Sequence, residues 1–149
     1  MVIALLPNLT RKNALRITLD VCKALDKLNA DYIVREEDKE YFKETGARYL
    51  PYTDMIVECD VIIAVGGDGT FIHAAKAGKP ILGINAGRIA FMAGLEPSEL
   101  DMLKKLIDGD YENDRRMMLR ADVCKPDGEI VRTCHCVNDA VVARGMKIK

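Results

Sequence analysis

Tryptophan is absent from the 149 residues and aromatic residues make up only 5% of them, so any core has to be built from aliphatic side chains. Those are plentiful, since 49% of the chain is apolar. An excess of either charge is also missing: 22 Lys and Arg face 23 Asp and Glu, for a net charge of -1. Without a basic excess to hold a phosphate backbone, nucleic acid is not an expected partner. No apolar run approaches the roughly 20 residues that cross a bilayer, so no membrane partner is expected either. The apolar run Val2 to Leu6 meets Pro7 and Asn8 with no basic segment before it and no small-residue cleavage site. It has the marks of a strand, not of a signal peptide. The five cysteines are odd in number and irregularly spaced, with no C-x-x-C pair. That pattern fits reduced thiols in a cytoplasm better than a disulfide framework or a zinc site. There is no G-x-x-x-x-G-K-[ST] phosphate loop, no internal repeat and no low-complexity linker.

What is present is an alternation of strands and helices on a length that suits one domain, or one domain and part of a second. Val2 to Leu6 is a short buried strand. From Thr10, a candidate N-cap, Ala14, Ile17, Val21, Ala24, Leu25 and Leu28 recur at helical spacing. Tyr32 to Val34 is a second strand, and a charged stretch from Arg35 to Gly46 is helix and loop, closed by Pro51. Tyr52 to Cys59 is a short helix, Val61 to Val65 an apolar strand, Thr70 to Ala77 a helix and Ile81 to Ile84 a further apolar strand. Short, wholly apolar strands alternating with helices indicate an α/β fold, a Rossmann-like parallel sheet covered on both faces. Pro97 to Ile107 is one more amphipathic helix, with Gly109 just beyond its end.

The pattern then changes. Two extended runs after Arg115 are separated by Pro126, Asp127 and Gly128, a turn signal of the hairpin kind. We expect residues 1–112 to form the α/β domain and residues 113–149 a β-hairpin that opens a second, incomplete antiparallel β domain. The paired Met117 and Met118 read as core or interface filling.

The segment carrying chemistry is "DVIIAVGGDGTFIHAAKAGKPILGINAGRIAF", Asp60 to Phe91. Glycines at the C-terminal end of a strand are expected to turn the backbone with positive φ and to let it approach a ligand closely. Successive N–H groups and the following helix's dipole then favour phosphate. Asp68 would repel that phosphate unless it has another task. A hydroxyl attacking a phosphoryl group needs orientation and a proton acceptor, and a placed carboxylate supplies both. The plainer alternative is a tight turn in which Asp68 only caps the helix.

Gly66 to Thr70 resembles the GGDGT signature of the NAD kinase family, and three further segments resemble that family's pattern in order: "GINAGRIAF" from Gly83, "RRMML" from Arg115 and "VNDAVVARG" from Val137. Ala90 stands where the family commonly has Gly before the Phe. The resemblance implies phosphorylation of the adenosine ribose 2'-hydroxyl of NAD, using ATP or polyphosphate with Mg²⁺. It implies that Asp68 orients the hydroxyl and accepts its proton, while Gly67, Gly69 and Thr70 hold phosphate. Asn138 and Asp139 would hold NAD at its ribose and phosphate, Phe91 would border the adenine, and His73 would approach the dinucleotide. Asn85 and Arg88 would shape the loop after the sheet on the nucleotide side. For several of these a plain structural role is the competing account: an Asn-Asp turn at 138 and 139, core packing for Phe91, a solvated helix-face imidazole for His73 and a solvated loop guanidinium for Arg88. The resemblance also implies a homo-oligomer in the full-length protein and a chain ending inside its β domain. Two other readings stand beside it: a non-catalytic nucleotide-binding fragment, and a lipid kinase of the diacylglycerol type. The latter also carries GGDGT, but is expected to follow it with a Gly-Thr-Asn-Asp run where this chain has "GINAGRIAF".

Overall fold

The computed structural model describes residues 1–87, 90–137 and 139–142. They form two units, Met1–Asn113 and Asp114–Lys149. The first contains β1 (Val2–Pro7), α1 (Ala14–Lys27), β2 (Asp31–Arg35), α2 (Lys39–Phe42), β3 (Arg48–Leu50), α3 (Tyr52–Glu58), β4 (Val61–Gly66), α4 (Asp68–Ala75), β5 (Ile81–Asn85) and α5 (Leu103–Asp108). Its five strands make one parallel sheet in the order β3-β2-β1-β4-β5.

Both faces of that sheet are covered, because its strands are apolar on both sides. Ile3, Leu5, Val61, Ile63 and Val65 point to the face where α1 packs with Ile17, Val21 and Leu25 and α5 with Leu103 and Leu106. The intervening residues Ala4, Leu6, Ile62 and Ala64 point to the other, against Met55 of α3 and Ala74 of α4. Alternation along each strand thus divides one continuous apolar run between two cores.

Several boundaries differ from those expected. Thr10 caps nothing: α1 begins at Ala14, and the Thr10 hydroxyl and N–H both donate to Asn8 Oδ1, at 2.6 and 3.3 Å, closing the loop after β1. An asparagine two residues upstream competes for the groups a cap would have used. β3 is an element that periodicity did not reveal, since three residues hold no pattern. It lies at the sheet edge, where Arg48 donates to Asp31 at 2.8 Å and pairs with Glu58. The helix expected from Pro97 is shorter. Glu99 turns back to accept from the Glu96 N–H at 2.8 Å, one 3₁₀ turn follows at Leu100–Met102, and α5 proper starts at Leu103 and ends at Gly109 with φ 76°. Among the described residues no helix is long and apolar enough to cross a membrane.

The second unit pairs β6 (Leu119–Cys124) with β7 (Ile130–Cys136) in antiparallel fashion, turning through Gly128 at φ 90° and carrying an irregular step between Val123 and Cys124. Val123, Ile130 and Val131 are exposed, as are Met117 and Met118, so the methionine pair fills no core among the described residues. Cys22 and Cys59 are buried free thiols, and Cys124, Cys134 and Cys136 lie free on the hairpin.

Candidate functional site

In this sheet the chain moves outward from β1 through β2 to β3, then crosses back to β4 and on to β5. Where the direction of winding reverses, the loops leaving neighbouring strands part company, and open α/β sheets bind ligands in the resulting crevice. Here the reversal lies between β1 and β4. The loop after β1 and the Gly66–Thr70 turn after β4 therefore leave the sheet side by side, joined by the Asn8 N–H donating to Val65 O at 2.9 Å and by Asn8 Nδ2 donating to Thr70 Oγ1 at 3.2 Å.

The glycines of the turn serve close approach and open space, not handedness. The described glycines with positive φ are Gly78, Gly109 and Gly128, whereas Gly67 is extended at φ -114° and ψ -170°, so the expected positive-φ turn is not how this segment works. A Cβ on Gly66 would stand 2.1 Å from Thr70 Oγ1 and 2.7 Å from its Cβ, so only glycine admits the first turn of α4 this close to the strand. A Cβ on Gly69 would meet nothing within 4 Å. Gly69 instead keeps space open above the first turn of α4, where N–H groups lack intrahelical acceptors and the dipole favours an anion. Arg11 reaches the same turn, with Nη2 3.8 Å from where a Gly67 Cβ would be.

Asp68 is the first residue of α4 and makes no side-chain cap to it. Its Oδ1 accepts the Met92 N–H at 3.0 Å, which orients the carboxylate toward the segment after β5 and leaves acceptor capacity over. The helix-capping alternative is thereby replaced by a bond between two loops. The segment itself is pinned to the sheet: Gly94 and Leu95 N–H both donate to Gly83 O, at 2.9 and 3.0 Å, and Asn85 N–H donates to Leu95 O at 3.0 Å. Gly83 permits this, because a Cβ there would lie 3.0 Å from Ala93 Cα. Asn85, 3% exposed, donates its amide to Glu96 at 3.0 and 3.2 Å and accepts the Gly87 N–H at 2.8 Å.

A cavity of about 490 Å³ opens on the opposite side of the turn from Met92, lined among others by Asn8, Thr10, Glu37, Tyr52, Thr70 and His73. A neighbouring hollow of about 350 Å³ shares Arg35, Glu37 and Tyr52 with it and adds Glu36 and Pro51. Asp68 and Thr70 are two positions apart on a helix turning about 100° per residue, which sends their side chains to nearly opposite sides.

Of the residues singled out from sequence, Gly69, Thr70 and His73 line the larger cavity, while Gly67 and Asp68 belong to the same turn without lining it. Asn85 is fully engaged in holding its loop. Phe91 is 86% exposed, which excludes the core role for it. Asp139 is exposed in the second unit. Arg88 and Asn138 lie outside the described residues. Sequence reading missed Asn8, Arg11, Glu37, Tyr52, Met92 and Glu96; for the first two, their place just after an apolar strand was the available signal. Among the described residues no three His, Cys, Asp or Glu side chains cluster as a metal site.

Residues 3–111 match the family pattern described as the ATP-NAD kinase N-terminal domain. The NAD kinase of Thermoanaerobacter sp. (strain X514) is 31% identical over 155 residues, covering 96% of this chain and 52% of that protein. The NAD kinase of Saccharophagus degradans is 30% identical, covering 99% of this chain and 51% of its own length. The chain thus spans about half the length of the curated relatives it matches. Among solved structures, yeast NADH kinase complexed with NADH superposes with a TM-score of 0.73 at 19% identity, over 93% of this chain and 47% of that one. At that identity the likeness is one of fold.

Proposed function

The chain belongs to the NAD kinase family, and from that premise we propose that it is the nucleotide-binding part of an enzyme transferring a phosphoryl group from ATP or polyphosphate to the adenosine ribose 2'-hydroxyl of NAD, giving NADP. The observation carrying the proposal is the Asp68 carboxylate, held by the Met92 N–H at 3.0 Å beside a phosphate-suited turn at the reversal point of the sheet. Asp68 orients the 2'-hydroxyl and accepts its proton as the oxygen bonds to the transferred phosphorus. The bond from that phosphorus to the donor's bridging oxygen breaks, and ADP, or the polyphosphate shortened by one unit, departs. Gly67, Gly69 and Thr70 hold phosphate. His73, Phe91 and Asp139 are assigned to the dinucleotide together with Arg88 and Asn138, which lie outside the described residues, while Asn85, its amide taken by Glu96 and Gly87, shapes the loop on the nucleotide side.

The divalent cation is assigned to Mg²⁺ arriving with the donor. Mg²⁺ keeps several waters and binds chiefly through substrate phosphates, so it calls for no cage of protein ligands, and Asp68 is kept for the hydroxyl. When bound it neutralises charge on the donor's phosphates. We further assign the protein to the cytoplasm, on its free thiols, and expect the full-length protein to be a homo-oligomer. Residues 1–112 act as the nucleotide-binding domain and 113–149 as the opening of the β domain.

The test is NADP formation from NAD, ATP and Mg²⁺ by this chain and by Asp68→Asn, with NAD binding measured calorimetrically on both. Loss of turnover by about 10²- to 10⁴-fold with NAD binding kept is the expected result. Equal turnover in the two would remove Asp68 from the reaction. Binding without turnover in the unsubstituted chain would restrict this half to nucleotide binding.

A further inference from the structure

We infer that Glu96 is a positioning residue for the reaction: through Asn85 it fixes the return of the chain to β5, and so sets the main-chain N–H of Met92 against the Asp68 carboxylate. The inference rests on the kinase reading above and adds to it a residue that acts only through others.

β5 is the last strand of its sheet, so its outer edge has no strand to pair with. The chain leaves β5 at Asn85 and comes back to that edge at Gly94 and Leu95, where Leu95 bridges Ile84 in parallel fashion. The Gly94 and Leu95 N–H groups donate to Gly83 O, and the Asn85 N–H donates to Leu95 O. The returning limb lies tight on the strand: a Cβ on Gly83 would stand 3.0 Å from Ala93 Cα and 3.2 Å from Met92 O. A displacement at the end of this limb is therefore passed along it and not absorbed in slack.

The side chain of Asn85, 3% exposed, joins both limbs. Its Oδ1 accepts the Gly87 N–H at 2.8 Å on the way out, and its Nδ2 donates to the Glu96 carboxylate at 3.0 and 3.2 Å on the way back. A charged acceptor makes this the stronger kind of hydrogen bond. Glu96 is held from its other side as well. Its N–H donates to Glu99 Oε2 at 2.8 Å and its C=O accepts the Glu99 N–H at 2.9 Å, directly before the 3₁₀ turn that leads into α5 and the fully buried Leu103. Glu96 thus ties the end of the limb to the sheet and to a helix packed on it.

Met92 stands on the limb that Glu96 anchors, four residues before it. The outgoing limb bonds the strand end of the glycine-rich turn, Ala86 N–H to Gly66 O at 2.8 Å, and the returning limb bonds its carboxylate, Met92 N–H to Asp68 Oδ1 at 3.0 Å. Among the described residues no other hydrogen bond joins the returning limb to α4. A misplacement of about 1 Å there is enough to take a carboxylate out of line with an attacking hydroxyl.

The experiment is a double-substitution cycle on this chain, read by hydrogen exchange at the Met92 amide, with Glu96→Ala, Glu96→Gln and Asp68→Ala. Asp68→Ala by itself is expected to speed that exchange by about tenfold or more. Glu96→Ala is expected to speed it comparably, and adding Asp68→Ala to it changes the rate by less than about twofold, because the bond is already lost. Glu96→Gln keeps an oxygen for the Asn85 amide, and with it the slow exchange and its dependence on Asp68. Turnover is the second readout: Glu96→Ala lowers kcat for NADP formation by about 10- to 100-fold with calorimetric NAD affinity unchanged, and Glu96→Gln does not. The inference is overturned if the two substitutions speed Met92 exchange independently, or if Glu96→Gln behaves as Glu96→Ala does. It is overturned equally if Glu96→Ala speeds exchange alike throughout Met1–Asn113, which would give Glu96 a part in stability alone. Coupled exchange in a chain that forms no NADP would count against the activity and leave the positioning of Asp68 by Glu96 standing.

Discussion

The main-chain N–H of Met92 donates to the Asp68 carboxylate at 3.0 Å, across 24 positions of sequence. The bond couples the glycine-rich turn after β4 to the segment after β5, and both are fastened to the sheet by further main-chain bonds, Ala86 N–H to Gly66 O at 2.8 Å among them. One carboxylate thus positions a loop and, through that loop, is itself positioned.

Removing the carboxylate in two ways separates these consequences. Asp68→Asn keeps an oxygen for the Met92 N–H, whereas Asp68→Ala leaves that donor without its partner. Hydrogen exchange at the Met92 amide should stay slow in the first and speed up by about tenfold or more in the second, matching a net bond of about 1.5–3 kcal/mol to a charged group. Equal exchange in both variants would mean that the bond does not hold the loop.

The glycines of the turn are predicted to differ in sign. Gly66→Ala forces the Thr70 side chain from its place, 2.1 Å from the new Cβ, and breaks its bond to Asn8, at a cost of about 1–3 kcal/mol. Gly69→Ala meets open space and should raise stability by about 0.4–1 kcal/mol through the unfolded chain, while weakening donor binding where its methyl group enters the cavity. Urea denaturation of the two variants, with Mg²⁺-ATP titration of the second, checks both statements; a destabilised Gly69→Ala would contradict the open-space account.

Asn85 is the buried link between β5 and Glu96. Asn85→Asp replaces an amide donor by a carboxylate facing a carboxylate at about the same 3.0 Å. A loss of about 1–3 kcal/mol is expected at pH 7, with partial recovery near pH 4.5 as the pair takes up one proton. Denaturation midpoints for native and variant chains at the two pH values test this, and a pH-independent difference would speak against the pairing.

Burial pushes the Cys22 thiol from 9.0 up to about 12, and burial also raises the Tyr32 hydroxyl, which donates to Asp26 at 2.8 Å. For both groups the folded chain favours the protonated form. Below pH 9 the folded and unfolded chains carry the same thiol proton, and the contribution to stability is complete. Between 9 and about 12 the unfolded chain loses a proton that the folded chain retains, so stability falls with rising pH, by about 1.4 kcal/mol per pH unit for the thiol. Cys22→Ala should flatten that slope in urea midpoints taken from pH 8 to 11; an unchanged slope would assign the alkaline loss elsewhere.

Much of the framework was legible in the chain itself. Val61 to Val65 and Ile81 to Ile84 read as strands of a covered parallel sheet, because short, continuous aliphatic runs bounded by turn residues are too short for helices and favour burial, and a glycine-rich turn after such a strand points to the ligand edge of the sheet. Asp68, Gly69 and Thr70 could therefore be placed at that edge from order along the chain, and Gly69 and Thr70 do line a cavity there. Tertiary structure alone decided that β1 and β4 are neighbours, which brings Asn8 to Thr70 across 62 positions, sets Arg11 beside Gly67, and opens the crevice to Tyr52 and Glu37 from elements with no motif of their own. It also decided that Asp68 bonds a distant loop instead of capping its own helix, and that Thr10 closes a turn where a cap was expected. The physical reason is range. Side-chain periodicity and turn chemistry act over a few residues, whereas strand order and the bonds between loops depend on how the elements pack, and no local pattern records that.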